Sequence, residues 1–174
     1  MRDQRFLRMI RARTARVAVS ASASRGQGAP GIVKRAREFC STLDLGPFGT
    51  NDQRAFARRL EATTQQLRRR LPTNGASWGL ARKLLNIFLR DSLYTSYLAR
   101  AYGLHNAERW FEIPLDSITA GKIRKEALEL PRWPGVKHLT PNLSAAYQTA
   151  ASAIAKSHHV ARVHLDAFWW GLRE

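Results

Sequence analysis

The chain predicts an all-α fold, a compact helical bundle. Three observations point there. Apolar residues recur at helical spacing through most of its 174 residues, cap residues and breakers stand at the ends of those runs, and no series of alternating strands is present. At 44% hydrophobic content the chain can bury a core of ordinary domain size.

The elements follow in order. Residues 1–31 read as a basic flexible arm and linker: the first 25 carry seven Arg against one Asp, and 20–31 (SASASRGQGAPG) are small and turn-prone. The same Arg-rich, Ser-rich start also fits an organellar transit peptide. A helical domain is placed at 32–174. Its first strong helix spans about Asp52 to Leu71, capped by Asn51 or Asp52, with Phe56, Leu60, Thr63, Leu67 and Leu71 on one face. Leu71-Pro72-Thr73-Asn74-Gly75 breaks it. A second helix spans Trp78 to Tyr102, with Ser77 as cap and Gly103 as stop. Its apolar face (Ala81, Leu85, Phe88, Leu89, Leu93) and few charges mark it as the central buried helix. After Pro114, Asp116 occupies the cap position of a helix reaching about Lys125. Pro131, Pro134 and Gly135 form a loop. Leu143–Ser157 is an Ala-rich helix, and Val160–Leu172 a last one carrying Phe168, Trp169 and Trp170.

Charge narrows the partner class. Lys and Arg number 29 against 13 Asp and Glu, a formal net charge of +16. Such an excess attracts polyanions, nucleic acid foremost. Cys40 is the single cysteine, so neither an internal disulfide nor a cysteine metal centre is expected, and a reducing compartment fits. No apolar run is long enough to span a bilayer. His158, His159 and His164 lack a clear further ligand and the spacing of a zinc protease, so ordinary polar roles are expected. Neither a glycine-rich phosphate loop nor a serine nucleophile elbow is found.

Four residues invite chemistry. Lys83 lies near the positive end of the central helix beside Arg82 and close to Trp78. That setting disfavours a charged ammonium and suits an amine nucleophile. The plain alternative is a solvated surface lysine. Asp116 reads first as a helix cap, but an oriented, ionised carboxylate can also stabilise a cationic sugar. Asp166 and Trp170, four apart, share a helical face and could grip a nucleobase by hydrogen bonding and stacking, or simply plug the core with Phe168 and Trp169.

Taken together, Leu80-Ala81-Arg82-Lys83-Leu84-Leu85-Asn86-Ile87-Phe88-Leu89, Ile113-Pro114-Leu115-Asp116 and Asp166-Ala167-Phe168-Trp169-Trp170 resemble the helix-hairpin-helix DNA glycosylases, closest to the archaeal 8-oxoguanine glycosylase/lyase branch. The likeness covers roughly residues 50–172. The gap of 33 positions from Lys83 to Asp116 matches the wide gap of that branch. The hairpin 71–79 departs from the superfamily's glycine-bracketed turn, and the N-terminal part does not match.

The resemblance implies base excision from duplex DNA by base flipping, with no cofactor. Lys83 would form a Schiff base with the sugar, optionally followed by lyase chemistry, and Asp116 would assist. Asp166 and Trp170 would line the base pocket. Arg68, Arg69, Arg70, Asn74, Gly75 and Arg82 would hold the DNA backbone. Oxidised guanine is the family's substrate; a modified base in foreign (phage) DNA, hence a role in defence, is the alternative. A monomer in a bacterial or archaeal cytoplasm or nucleoid is expected. Two rivals stand beside this reading. One is a non-enzymatic nucleic-acid-binding helical module, with helices 143–157 and 160–172 mimicking a helix-turn-helix; the other is an RNA-associated structural protein.

Overall fold

Helix α4, Trp78–Tyr94, organises the molecule in the computed structural model. The structure describes residues 3–24, 26 and 30–171, with side chains among them through Trp169. The chain is an all-α bundle: α1 (Gln4–Ala18), α2 (Ile32–Thr42), α3 (Gln53–Arg70), α4, α5 (Ser96–Tyr102), α6 (Ser117–Glu126), α7 (Pro141–Ser157) and α8 (Leu165–Gly171), joined by loops and short 3₁₀ turns. No strand occurs among the described residues.

Helix α4 is buried nearly all round. Leu80, Ala81, Leu84, Leu85 and Phe88 are fully enclosed, which is why its sequence carries so few charges. Around it, α1, α2, α3 and α5 close one apolar cluster built on residues such as Leu45, Phe48, Phe56, Leu67, Leu98 and Phe111. A second cluster joins α6, α7 and α8 through Ile113, Leu115, Ile123, Tyr147, Leu165 and Trp169, and Trp78 of α4 plugs into it. Trp133 packs against both.

Caps sit where local chemistry asks for them. Ser77 Oγ accepts from the Leu80 amide at 3.1 Å and Asp52 Oδ1 from the Arg54 and Ala55 amides at 2.8 and 3.2 Å. Gly103, at φ 64°, ends α5 in the left-handed region that favours glycine.

Three expectations are corrected. Residues 4–18 are not a flexible arm but helix α1. Leu7, Ala15 and Ala18 are buried in the first cluster, and Asp3 caps the helix by accepting from the Arg5 amide at 2.8 Å. Arg11 fastens it further, donating to the carbonyls of Ser41 and Leu43. The density of arginine hid an apolar stripe of small residues, so no domain boundary falls at Ile32. The helix from Trp78 to Tyr102 is two helices. Thr95 is extended (φ −84°, ψ 99°) and its Oγ1 donates to the Asp91 carbonyl at 2.7 Å, a local bond that competes with helix continuation. The last helix starts at Leu165, after a 3₁₀ turn over Arg162–His164, rather than at Val160.

Candidate active site

A cleft of about 650 Å³ opens where the two apolar clusters meet, within the range of small-ligand sites. Helix α4 forms one wall with Lys83, Ile87 and Arg90, spaced so that they share a face. The 114–118 segment supplies Asp116, the 133–136 loop supplies Trp133 and Val136, α8 supplies Asp166, and the end of α1 supplies Val17 and Ala18.

Lys83 and Asp116 meet here. Nζ lies 3.6 Å from Oδ2, with side-chain exposures of 11% and 29%. The two oxygens of Asp116 have separate tasks. Oδ1 caps α6, accepting from the Ile118 and Thr119 amides at 2.9 and 3.0 Å, while Thr119 Oγ1 returns the favour to the Asp116 amide at 2.9 Å. Oδ2 is left to face the lysine. The separation exceeds a direct hydrogen bond, so the pair is close enough to interact but not locked together.

The strand-like approach to Asp116 is held by Gln148 of α7. Its Oε1 accepts from the Ile113 amide at 3.1 Å and its Nε2 donates to the Ile113 carbonyl at 2.8 Å. Gln148 is buried, and this two-point clamp satisfies an otherwise orphaned backbone pair. Nothing local in the Ala-rich sequence of α7 distinguishes Gln148; only its contact across 35 residues does.

Asp166 reaches the cleft, where Arg90 engages it. Its Oδ2 accepts from Arg90 Nη1, and Arg90 is also bonded to Asp91 Oδ1 through Nε at 3.0 Å and Nη2 at 2.9 Å. Arg90 was not among the expected site residues. Its spacing of seven from Lys83 was the available signal, because two turns of helix return to the same face. The side chain of Trp170, the proposed stacking partner, lies outside the described residues. Trp169 is buried in the second cluster, and Phe168 is exposed.

Arg82 is corrected from DNA contact to structural cation. It is 8% exposed, pairs with Glu61 at 2.9 Å and Glu112 at 3.5 Å, donates to Thr64 Oγ1 at 3.0 Å, and lies over the Trp78 ring. Trp78 Nε1 donates to Glu61 as well, so Trp78 belongs to this network and Arg82's charge is answered there.

Beyond Arg90 runs a second polar chain, in which Tyr94 Oη is 2.9 Å from His164 Nδ1 and His164 Nε2 is 2.7 Å from Glu108. Burial pushes the Tyr94 hydroxyl above its ordinary range, with Arg90 acting in the opposite sense. Burial likewise raises the Cys40 thiol, keeping it protonated and outside any chemistry. No cluster of three or more metal-ligating side chains is found among the described residues.

The hairpin between α3 and α4 forms a separate hollow of about 230 Å³ over residues 73–77, with Lys137 and His138 alongside. Asn74 is exposed, Gly75 half-buried, and Arg69 and Arg70 are exposed on the last turn of α3. Arg68, also exposed, braces the hairpin by donating from Nε to the Ala76 carbonyl at 3.0 Å. Lys137 and His138 were not expected here. Gly135 and Val136 line the cleft while Lys137 and His138 line the hollow, so one turn borders both sites.

No protein-family model, no curated protein and no solved structure matches the chain.

Proposed function

We propose that the chain is a DNA glycosylase that excises a damaged or modified base from duplex DNA, with Lys83 as nucleophile and Asp116 as its acid–base partner. The observation that carries this reading is the Lys83–Asp116 pair, 3.6 Å apart at the meeting point of the two clusters, in a cleft large enough for an extruded nucleotide.

The ammonium of Lys83 first yields a proton, and Asp116 Oδ2 stands where it can take it. Nζ then attacks the sugar C1′ as the C1′–N bond breaks. The departing electron pair goes to the base, which takes up the proton that Asp116 accepted, and the carboxylate so restored stabilises positive charge developing on the sugar. Opening of the sugar ring leaves a Schiff base between Nζ and C1′. Loss of a C2′ proton and cleavage of the C3′–O bond would release the 3′ phosphate, and water would free the lysine. The Arg90–Asp166 pair brings hydrogen-bond donors and an acceptor into the same cleft for the base. The hairpin hollow, basic and rich in backbone amides, suits a phosphate. Oxidised guanine and a modified base in foreign DNA are the substrates to compare.

Incubation with duplexes bearing different lesions, followed by borohydride reduction of any Schiff base, tests the reading. A covalent adduct is expected with wild type and not with Lys83→Ala, and Lys83→Gln should still bind duplex. An adduct of undiminished yield in Lys83→Ala would end the assignment. So would the absence of any adduct and of any base release across the panel.

A further inference from the structure

Helix α1 carries Arg5, Arg8, Arg11, Arg13 and Arg16 within its 15 residues, and they divide sharply. Arg11 turns inward to the carbonyls of Ser41 and Leu43 at 2.8 and 3.0 Å. The other four are exposed, and their guanidinium groups meet no acid or carbonyl among the described residues. At 100° per residue these four fall within an arc of about 140°, opposite Leu7, Thr14, Ala15 and Ala18, which face the core. The helix contains no acidic residue at all. Its C-terminal end leads directly to the cleft: Val17, 65% exposed, and Ala18 line the same opening as Lys83 and Asp116. Arg37 secures that end by donating from Nε to the Val19 carbonyl at 2.8 Å.

We infer that α1 is a preformed ridge that docks on duplex DNA, its four outward arginines pairing with backbone phosphates and bringing the duplex to the cleft mouth at Val17. The direction of approach rests on the reading of the cleft given above. From Arg5 to Arg16 the ridge is about 16 Å long, and duplex DNA carries a phosphate for about every 3.4 Å of its axis on each strand, so a helix laid against the duplex meets enough phosphates for four arginines. Cations engaged inside the fold cannot serve this purpose, and these four are not engaged. An anionic membrane would also attract the charge, but a surface-lying helix must put its apolar face into the lipid. That face of α1 is buried against its neighbours. Rigidity matters as well. A disordered arm would lose conformational freedom on binding, whereas this helix is already fixed and presents its charges at no such cost.

The test compares two quadruple variants of the full chain by fluorescence anisotropy on a DNA duplex over a range of salt. One changes Arg5, Arg8, Arg13 and Arg16 to Gln. The other removes the same charge from Arg54, Arg58, Lys125 and Lys156, exposed positions away from α1. The α1 variant should bind at least about tenfold more weakly at 0.1 M salt, and the slope of log K against log salt should fall by about 3 to 4. The control slope should change by less than about 1. Circular dichroism should match wild type in both. Equal losses in the two variants, or an α1 effect as large on single-stranded RNA as on duplex DNA, would overturn the proposal. The two readings fail separately. A wild type that shows the α1 salt signature but forms no borohydride adduct removes the lysine chemistry and leaves the ridge. An α1 variant that binds and traps like wild type removes the ridge and leaves the chemistry.

Discussion

At the scale of single residues, Asp116 shows how one side chain can cap a helix and still face an ionisable partner across a cleft. Its Oδ1 satisfies two amides at the start of α6, and its Oδ2 stands 3.6 Å from Lys83 Nζ. The two tasks can be separated. Asn caps helices about as well as Asp, so Asp116→Asn should leave stability within about 0.5 kcal/mol of wild type. It should nevertheless lower the yield of borohydride adduct by about a hundredfold, because the charge is gone. Asp116→Ala should lose both, with about 1 kcal/mol of stability. Thermal unfolding and adduct yield, measured on both variants, check this; equal destabilisation by Asn and Ala would mean the cap does not depend on Oδ1. The local positions of Lys83 and Asp116, near a helix start and at a helix cap, were legible in the chain, whereas their meeting was implied only by the resemblance. Arg82 was misread because its neighbours in sequence say nothing of Glu61 and Glu112, which approach it from other elements. Asp166 was half legible. Helical spacing sets only its register with residue 170, its place near the site was implied by the resemblance, and Arg90, which donates to it, lies 76 residues away.

Among elements, the decisive contact is between α4 and the loop that walls the cleft. Gly79 allows it. A Cβ placed there would lie 2.1 Å from the Val136 carbonyl oxygen and 2.7 Å from Leu139 Cβ. Gly79→Ala therefore forces the 135–139 turn away from α4 or strains it, and should cost about 2–3 kcal/mol in chemical denaturation. Because Gly135 and Val136 line the cleft, adduct formation should fall even below the unfolding transition. A variant as stable as wild type would show that the turn yields freely. The boundary at Thr95 belongs to the same scale. Helical periodicity continues across residues 78–102, and a helix through Tyr102 is what that pattern predicts. The break comes from a side-chain bond to the Asp91 carbonyl and from packing of α5 against α1, neither of which periodicity records.

Across the whole molecule, two apolar clusters share α4 and leave a cleft at their seam. The N-terminal helix is part of the first cluster, not an appendage to it. Removal of residues 1–31 should expose the faces of α2, α4 and α5 that α1 covers. The chain 32–174 is expected to unfold at a clearly lower temperature than the full chain or to fail to fold, since truncation removes Leu7, Ala15, Ala18 and Val19 from the core together with the Arg11 bonds. An unchanged thermal midpoint would restore the view of a dispensable arm. The net charge of +16 is a property of the same scale. It sets a long-range attraction for polyanions, but it does not say which face they meet.

Helix class, most helix starts and the excess of positive charge follow from the order of residues alone, because periodicity, capping and composition act within a few positions of one another. Which cations lie open and which are locked inside is a different matter. Arg5 and Arg11 look alike in the chain, as do Arg82 and Arg69; only folding gave one member of each pair a carbonyl or a carboxylate. The cleft is of the same kind, since its walls come from α1, α4, the 114–118 and 133–136 segments and α8. Contacts between distant segments depend on how apolar faces pack in three dimensions, and a linear pattern shows that a face must be covered without showing what covers it.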